Sequence, residues 1–571
     1  MDRITAALMA EFSSENQLDQ LPEETRFEHF AAYLATSRHL ADTFDTADLV
    51  TGAGGDTGID AIAIVVNGSL VTDSELVNEL AETNGYLDVT FVFVQAERSA
   101  AFDGAKIGTF GFGVNDFFRD TPQLPRNDAV RDAAAVMSAI YALSPKFTRG
   151  NPTCRLYYVT TGRWVNDANL VARQQVVVDD LRGTRLFRDV EFIDLDADAI
   201  QRLYNQTKNA ISRDITFSAR TALPEIPGVA EAYLGLLPAS EFLSLLQDET
   251  GILVKSIFYE NVRDWQDYNA VNTEIRGTLE SVQQRPRFAL MNNGVTIIAK
   301  TLRATGNRFH IEDYQIVNGC QTSHVLFDQR GQIDDTVLIP LRLIATQDEE
   351  LIASIVKATN RQTQVKEEQL LALNDFQKKL EVFFGSFEEA RRLYYERRSR
   401  QYNTVPGIEK TRVVTLPNLI RAYAALVLEE PHRTTRNFRA LLATVGTNIF
   451  APDHRLEPYY LAASALYRLE YLFRNGEVDA RFKAARYHIL LATRLLGSPR
   501  QPPRPNSHEM ARFCDELLHI LWSPVDASAL VRRAVDVVNE VAAGNLHRDN
   551  IRTQPFTDQV LRRCRELVPA A

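Results

Sequence analysis

GIDAIAIVVNG at residues 58–68 and LDVTFVFVQAER at residues 87–98 decide the fold of the N-terminal part of this chain. Each is a near-continuous run of β-branched, aromatic and small apolar residues, and each predicts a strand covered on both faces. Polar groups stand only at the ends of these runs. Asp60 opens the first strand. Gln95 and Glu97 close the second, two residues apart and therefore on one face of the sheet.

Working outward, ETRFEHFAAYLATSRHLAD at 24–42 places Phe27, Phe30, Ala31 and Leu34 at helical spacing. A short strand is expected near 46–50, followed by the Gly-rich turn TGAGGDTG at 51–58. Downstream, the pattern predicts a helix over 127–143, a strand over 153–161, a helix over 166–182 and a strand over 190–195. The fold class is α/β: a mixed sheet flanked by helices, spanning 1–210.

Beyond it, an α+β region is expected over 211–405. Its strand-like runs are DITFSAR (214–220), ILVKSIFYENVR (252–263), FALMNNGVTIIAK (288–300), FHIEDYQIVNG (309–319) and TVLIPLRLIAT (336–346). From about 348 the pattern is mostly helical, and 406–571 is expected to be an all-α region. The expected helices lie near 366–396, 416–430, 457–474, 478–496, 507–522, 526–543 and 555–567, and Pro-rich GSPRQPPRPNS at 497–507 reads as a loop.

The 571 residues are 45% hydrophobic and 24% charged, an ordinary globular balance that leaves room for several cores. No apolar run approaches the roughly 18 residues of a membrane span, and the first residues lack a signal-peptide pattern. Cys154, Cys320, Cys514 and Cys564 are widely spaced without CxxC, which argues for free thiols in a reducing compartment. The expected address is the cytoplasm.

The net charge of −11 is unevenly spread. Residues 1–120 hold 6 Lys and Arg against 21 Asp and Glu, a net of −15, so the remainder nets +4. An acidic N-terminal part repels nucleic acid unless cations offset the charge. RRLYYERRSRQYNTVPGIEKTR at 391–412, with seven basic and two acidic residues, is the candidate phosphate-facing patch, with Arg397 and Arg398 at its centre.

Carboxylates at adjacent strand ends suit a hard divalent ion, which activates water for phosphodiester hydrolysis. Asp60, Gln95 and Glu97 form the candidate catalytic set, and together with Glu28 on the first helix the candidate ligands for Mg²⁺ or Mn²⁺. These residues, in this order of elements, resemble the PD-(D/E)xK nuclease superfamily across roughly 24–200. Asp60 matches its first acidic position and Gln95 its Gln variant. The departure is Glu97, which stands where the superfamily has Lys. Lys106 or Arg98 are the candidates for a displaced positive group. The Gly-rich turn is not a dinucleotide loop, because it precedes a strand instead of joining a strand to a helix. Walker A, HExxH and GxSxG motifs are all missing from the chain.

The central region carries a second signature. MNNGVTIIAK at 291–300 and QIVNGCQTSHVLF at 315–327 pair polar turns with apolar strands, and Gly319 permits a left-handed turn into a new helix. Thr322 or Ser323 is the expected helix cap. Further polar groups flank them: Asn261, Arg263 and Asn272 upstream, and Asn360, Arg361 and Gln362 downstream. These segments, over about 230–405, resemble the abortive-infection phage-resistance (AIPR) family, in which similar nuclease-like domains precede the AIPR region. Asn292, Asn293, Asn318, Gln321, Thr322, Asn360 and Arg361 are the candidate nucleic-acid or ligand contacts.

The resemblances imply an antiphage defence protein, a metal-dependent endonuclease acting on DNA in preference to RNA. A homodimer is the expected assembly, and no membrane partner is expected. The rival reading is a non-catalytic nucleic-acid-binding or nucleotide-sensing protein with a degenerate nuclease fold.

Overall fold

A computed structural model describes residues 1–40, 43–52, 54–208, 211–248, 251–258, 270–359, 375–397, 401–403, 405, 407–436 and 438–568. Helices α1 (Arg3–Glu15) and α2 (Glu23–Ser37) precede β1 (Ala61–Val66), which turns back at Asn67 and Gly68 into β2 (Ser69–Leu70). Next come α3 (Ser74–Asn84) and β3 (Val89–Glu97). Helices α4 (Gly104–Phe117) and α5 (Asp128–Ala142) cross over to β4 (Thr153–Thr160). Helix α6 (Ala168–Gly183) leads to β5 (Asp189–Leu195), and α7 (Ala197–Lys208) closes the unit.

The sheet runs β2-β1-β3-β4-β5, with β1 antiparallel to β3, and with β3, β4 and β5 parallel. All six residues of β1 are buried, as a strand sandwiched between helices requires. Ile62, Ile64, Phe91 and Phe93 pack against α3 to α6. On the opposite face the small Ala61 and Ala63 admit Phe27, Phe30 and Leu34 of α2.

Two readings change here. The stretch expected as a strand near 46–50 is a 3-10 turn at Thr46–Asp48, reduced to a single bridge between Val50 and Ala61. Helix α4 was not expected, because Gly104, Gly108, Gly111 and Gly113 each disfavour a helix. The fold needs two of them. A Cβ at Gly111 would run into Val177 of α6, and one at Gly113 into the Thr57 carbonyl of the Gly-rich turn.

The second sheet runs β6-β10-β9-β11-β8-β7. Its strands are β6 (Ser212–Thr216), β7 (Ala219–Ala222), β8 (Glu231–Pro238), β9 (Val295–Thr305), β10 (Arg308–Asn318) and β11 (Leu338–Ala345). One face packs on α8 (Ala239–Leu246), α9 (Ala270–Glu280) and α11 (Cys320–Asp328). The other meets α12 (Glu349–Thr359) through Ile298, Val317, Ile352 and Val356. FALM at 288–291 is a single helical turn, α10 (Phe288–Met291), and not the start of a strand. In the run from 252, Lys255–Phe258 forms a 3-10 turn, and 259–263 lie outside the described residues.

In the helix expected over 366–396, residues up to 374 lie outside the described set, α13 covers Asp375–Gly385, and Tyr394–Glu396 is strand β12. Strand β12 pairs in parallel with β13 (Val413–Thr415), so the expected division near 405 runs through this pair. Further helices at Leu416–Leu426, Glu457–Arg474, Arg486–Gly497, His508–Leu521, Pro524–Ala542 and Gln554–Leu567 share one core reaching from Phe376 to Cys564. The segment expected as helical from 478 opens with a 3-10 turn at Ala480–Ala485. The four cysteines are free and buried.

Candidate functional site

Asp60 sits where the Gly-rich turn enters β1. Its backbone N–H donates to the Val94 carbonyl at 2.9 Å, and its own carbonyl accepts from Thr51 N–H at 2.9 Å. Adjacent-strand pairing thus fixes the side chain at the sheet edge. Its Oδ2 accepts from Gln95 Nε2 at 2.7 Å and from the Ala96 backbone N–H at 2.6 Å. Burial pushes the Asp60 carboxyl up to about 7, and the charges of Glu28, Asp56 and Glu97 push the same way, against the Ala96 N–H. Glu28 on α2 is likewise raised to about 7, by burial first and then by Glu24 and Asp56. The four candidate residues therefore act on one neighbourhood in which negative charge is crowded.

Glu97 points to the same face as Gln95 and pairs with Lys106 Nζ, from the first turn of α4. This pair raises the Lys106 pKa, with weaker contributions from the charges of Asp60 and Asp103. Of the two cations considered for a displaced Lys, Lys106 is the one at the site. Arg98 turns away to Glu23 of α2, at 3.2 Å.

The Gly-rich turn is held from outside. Asn127 caps α5 through Val130 N–H and donates its Nδ2 to the carbonyls of Thr51 (2.9 Å) and Gly54 (3.2 Å). Asp56 accepts from Gly58 N–H at 2.8 Å, a local turn bond of the kind Asp commonly makes. Among the described residues, no group of three or more His, Cys, Asp or Glu side chains is placed to hold a metal ion. The candidate set mixes carboxylates with the Gln95 amide, whose nitrogen is engaged by Asp60, so its oxygen is the atom that could ligate an ion.

The central signature is built differently. Gly319 (φ 93°) occupies the cap position of α11, and neither Thr322 nor Ser323 caps the helix. Instead Ser323 Oγ donates back to the Gly319 carbonyl at 2.9 Å, while Thr322 Oγ1 donates to Asn292 Oδ1 at 3.0 Å. Asn272 Nδ2 donates to Gln321 Oε1 at 2.6 Å, and Asn318 Nδ2 to the Thr359 carbonyl at 2.9 Å. Asn293 is exposed. The two polar turns are seated on each other: a Cβ at Gly319 would meet Val295 Cγ2 at 2.8 Å, and one at Gly294 (φ 80°) would strike the Pro340 carbonyl. Of these amides, Asn318 holds backbone in place, while Asn272, Gln321 and Asn292 bond other side chains.

Three basic residues of the run at 391–412 also turn inward. Arg397 is buried and donates to Glu381 at 2.6 Å. Arg412 bonds Glu409 and the carbonyls of Ala390 and Arg392, and Lys410 the carbonyls of Tyr402 and Asn403. Arg397 is thus unsuited to phosphate, since a guanidinium sealed in an ion pair has no free fork to offer. Asn261, Arg263, Asn360, Arg361, Gln362 and Arg398 lie outside the described residues.

The fold defines a protein with a carboxylate-lined α/β unit, a second mixed sheet and a helical remainder. Within it, residues 258–454 match the family model described as AIPR protein. No curated protein and no solved structure matches the chain. Among the described residues, no helix is long and apolar enough to cross a membrane.

Proposed function

We propose that this is an antiphage defence protein whose N-terminal unit hydrolyses phosphodiester bonds in a reaction dependent on Mg²⁺ or Mn²⁺. The match of residues 258–454 to the AIPR family supports the abortive-infection role. The observation carrying the chemistry is the junction at the ends of β1 and β3, where Asp60, Gln95 and Ala96 are bonded together and Glu97 is matched with Lys106. The donors are hard oxygens at a junction of crowded negative charge, which fits a divalent ion. Asp60, Gln95 and Glu97, with Glu28 beside them, would hold it. When bound, such an ion lowers the pKa of water and offsets phosphate charge.

Glu97 is the group placed to accept a proton, and Lys106 orients it while supplying the positive charge that Lys supplies within the PD-(D/E)xK pattern. DNA is the proposed substrate in preference to RNA, and a homodimer the proposed assembly. Purified protein incubated with plasmid, phage DNA and RNA tests this. Cleavage is expected only with Mg²⁺ or Mn²⁺, and is lost in Asp60→Asn. Cleavage surviving in that variant, or proceeding in chelator, sinks the assignment.

The lack of a three-carboxylate or histidine cluster among the described residues favours a second reading. In it the unit is a degenerate nuclease fold that binds nucleic acid, or senses nucleotides, without cutting. Mg²⁺-independent binding of DNA without cleavage is its expected signature.

A further inference from the structure

Four polar side chains form a single row across the N-terminal sheet. Asp60 directly precedes Ala61, which stands opposite Val94, so Asp60 lies opposite Gln95. Gln95 is in register with Tyr158 on β4, and Tyr158 with Asp194 on β5. Residues of one row point to one face, with neighbours about 5 Å apart. Here that face is the one covered by α4 and α6. Three members of the row have clear partners: Asp60 with Gln95, and Asp194 with Gln174 Nε2 at 2.7 Å.

Tyr158 is the exception. It is fully buried, yet among the described residues no group stands in hydrogen-bond geometry to its hydroxyl, the nearby Asp103 backbone amide included. Burial pushes its pKa well above the ordinary value near 10, and the negative charges of Glu97, Asp103 and Asp60 act in the same direction. Its ring packs on Phe102 with centroids 5.7 Å apart, a role that Phe would fill equally well. Packing explains the ring and leaves the hydroxyl without a use, although a buried donor left unmade is unfavourable.

We propose that the Tyr158 hydroxyl is a phosphate-binding donor of the Asp60 site, bonding a non-bridging oxygen of a bound phosphodiester beside Gln95. This rests on the phosphodiester reading of that site. A neutral donor suits the place: it binds phosphate oxygen without tying up Asp60 or Glu97, which a further cation would do.

The test uses Tyr158→Phe in the full chain, with fluorescein-labelled DNA and RNA oligonucleotides in Ca²⁺, so that binding is read by anisotropy apart from cleavage. Affinity is expected to fall roughly tenfold. The melting temperature should hold or rise, and Mn²⁺ affinity without oligonucleotide should be unchanged. Equal affinity in wild type and variant overturns the proposal, as does a wild type that binds neither oligonucleotide. A fall of several degrees in melting temperature also overturns it, because the hydroxyl would then serve the fold. If the wild type binds but never cleaves, the nuclease reading fails, while the affinity ratio still decides the role of Tyr158.

Discussion

The Asp60 edge and the Asn-Gly turns of the central sheet are both polar, and both lie at strand ends, but they use their polarity in opposite ways. In the central turns Asn292 bonds Thr322, Gln321 bonds Asn272 and Asn318 bonds the Thr359 carbonyl. Those groups are neutral, and they stabilise one another. At the Asp60 edge, Glu28, Asp56, Asp60 and Glu97 repel, and burial withholds the water that would screen them. One region spends its polar groups on its own shape. The other holds unfavourable charge that a cation would relieve, as sites built for chemistry often do.

Variants in the two regions should therefore differ in sign. The largest expected effect on stability is at the central turns. Gly294→Val places a branched side chain at φ 80° and against the Pro340 carbonyl. It should destabilise by about 3 kcal/mol or more in urea unfolding. A variant as stable as wild type would show that the Gly294 turn is not held against the Pro340 carbonyl of β11.

A smaller effect of opposite sign is expected at Asp60. Asp60 and Glu28 have ordinary values of 3.8 and 4.5 when unfolded, and both rise to about 7 in the folded chain. The folded state therefore holds extra protons between those limits. Their contribution is fully present below about 4 and is lost as pH rises through about 7. Asp60→Asn removes the Asp60 share. Without divalent ions it should be more stable than wild type at pH 8 by on the order of 2 kcal/mol, with little difference at pH 4. Parallel curves for the two proteins across this range would contradict the crowded-charge description.

Much of this was legible in the sequence. The apolar runs of β1 and β3 give both the strands and the face shared by Gln95 and Glu97, because a period of two leaves no choice once the ends are placed. Lys106 was reachable as a nearby cation, but its selection over Arg98 depended on α4, whose glycines disguise it. Those glycines answer to Val177 and Thr57, contacts distant in sequence. Tyr158 was not legible at all. Its strand reads as core, and only the register with Gln95 brings it to the site. Arg397 shows the converse failure: a basic run reads as a surface, whereas Glu381, sixteen residues upstream, draws the guanidinium inside.

Calorimetric titration of Mn²⁺ into wild type and Asp60→Asn tests most directly whether Asp60, Gln95 and Glu97 hold a divalent cation. Wild type should bind more tightly at pH 8 than at pH 6, because carboxyls near 7 must give up protons to the ion. Asp60→Asn should lose binding at both values. Equal Mn²⁺ affinity in the two proteins, with no dependence on pH, would contradict that assignment.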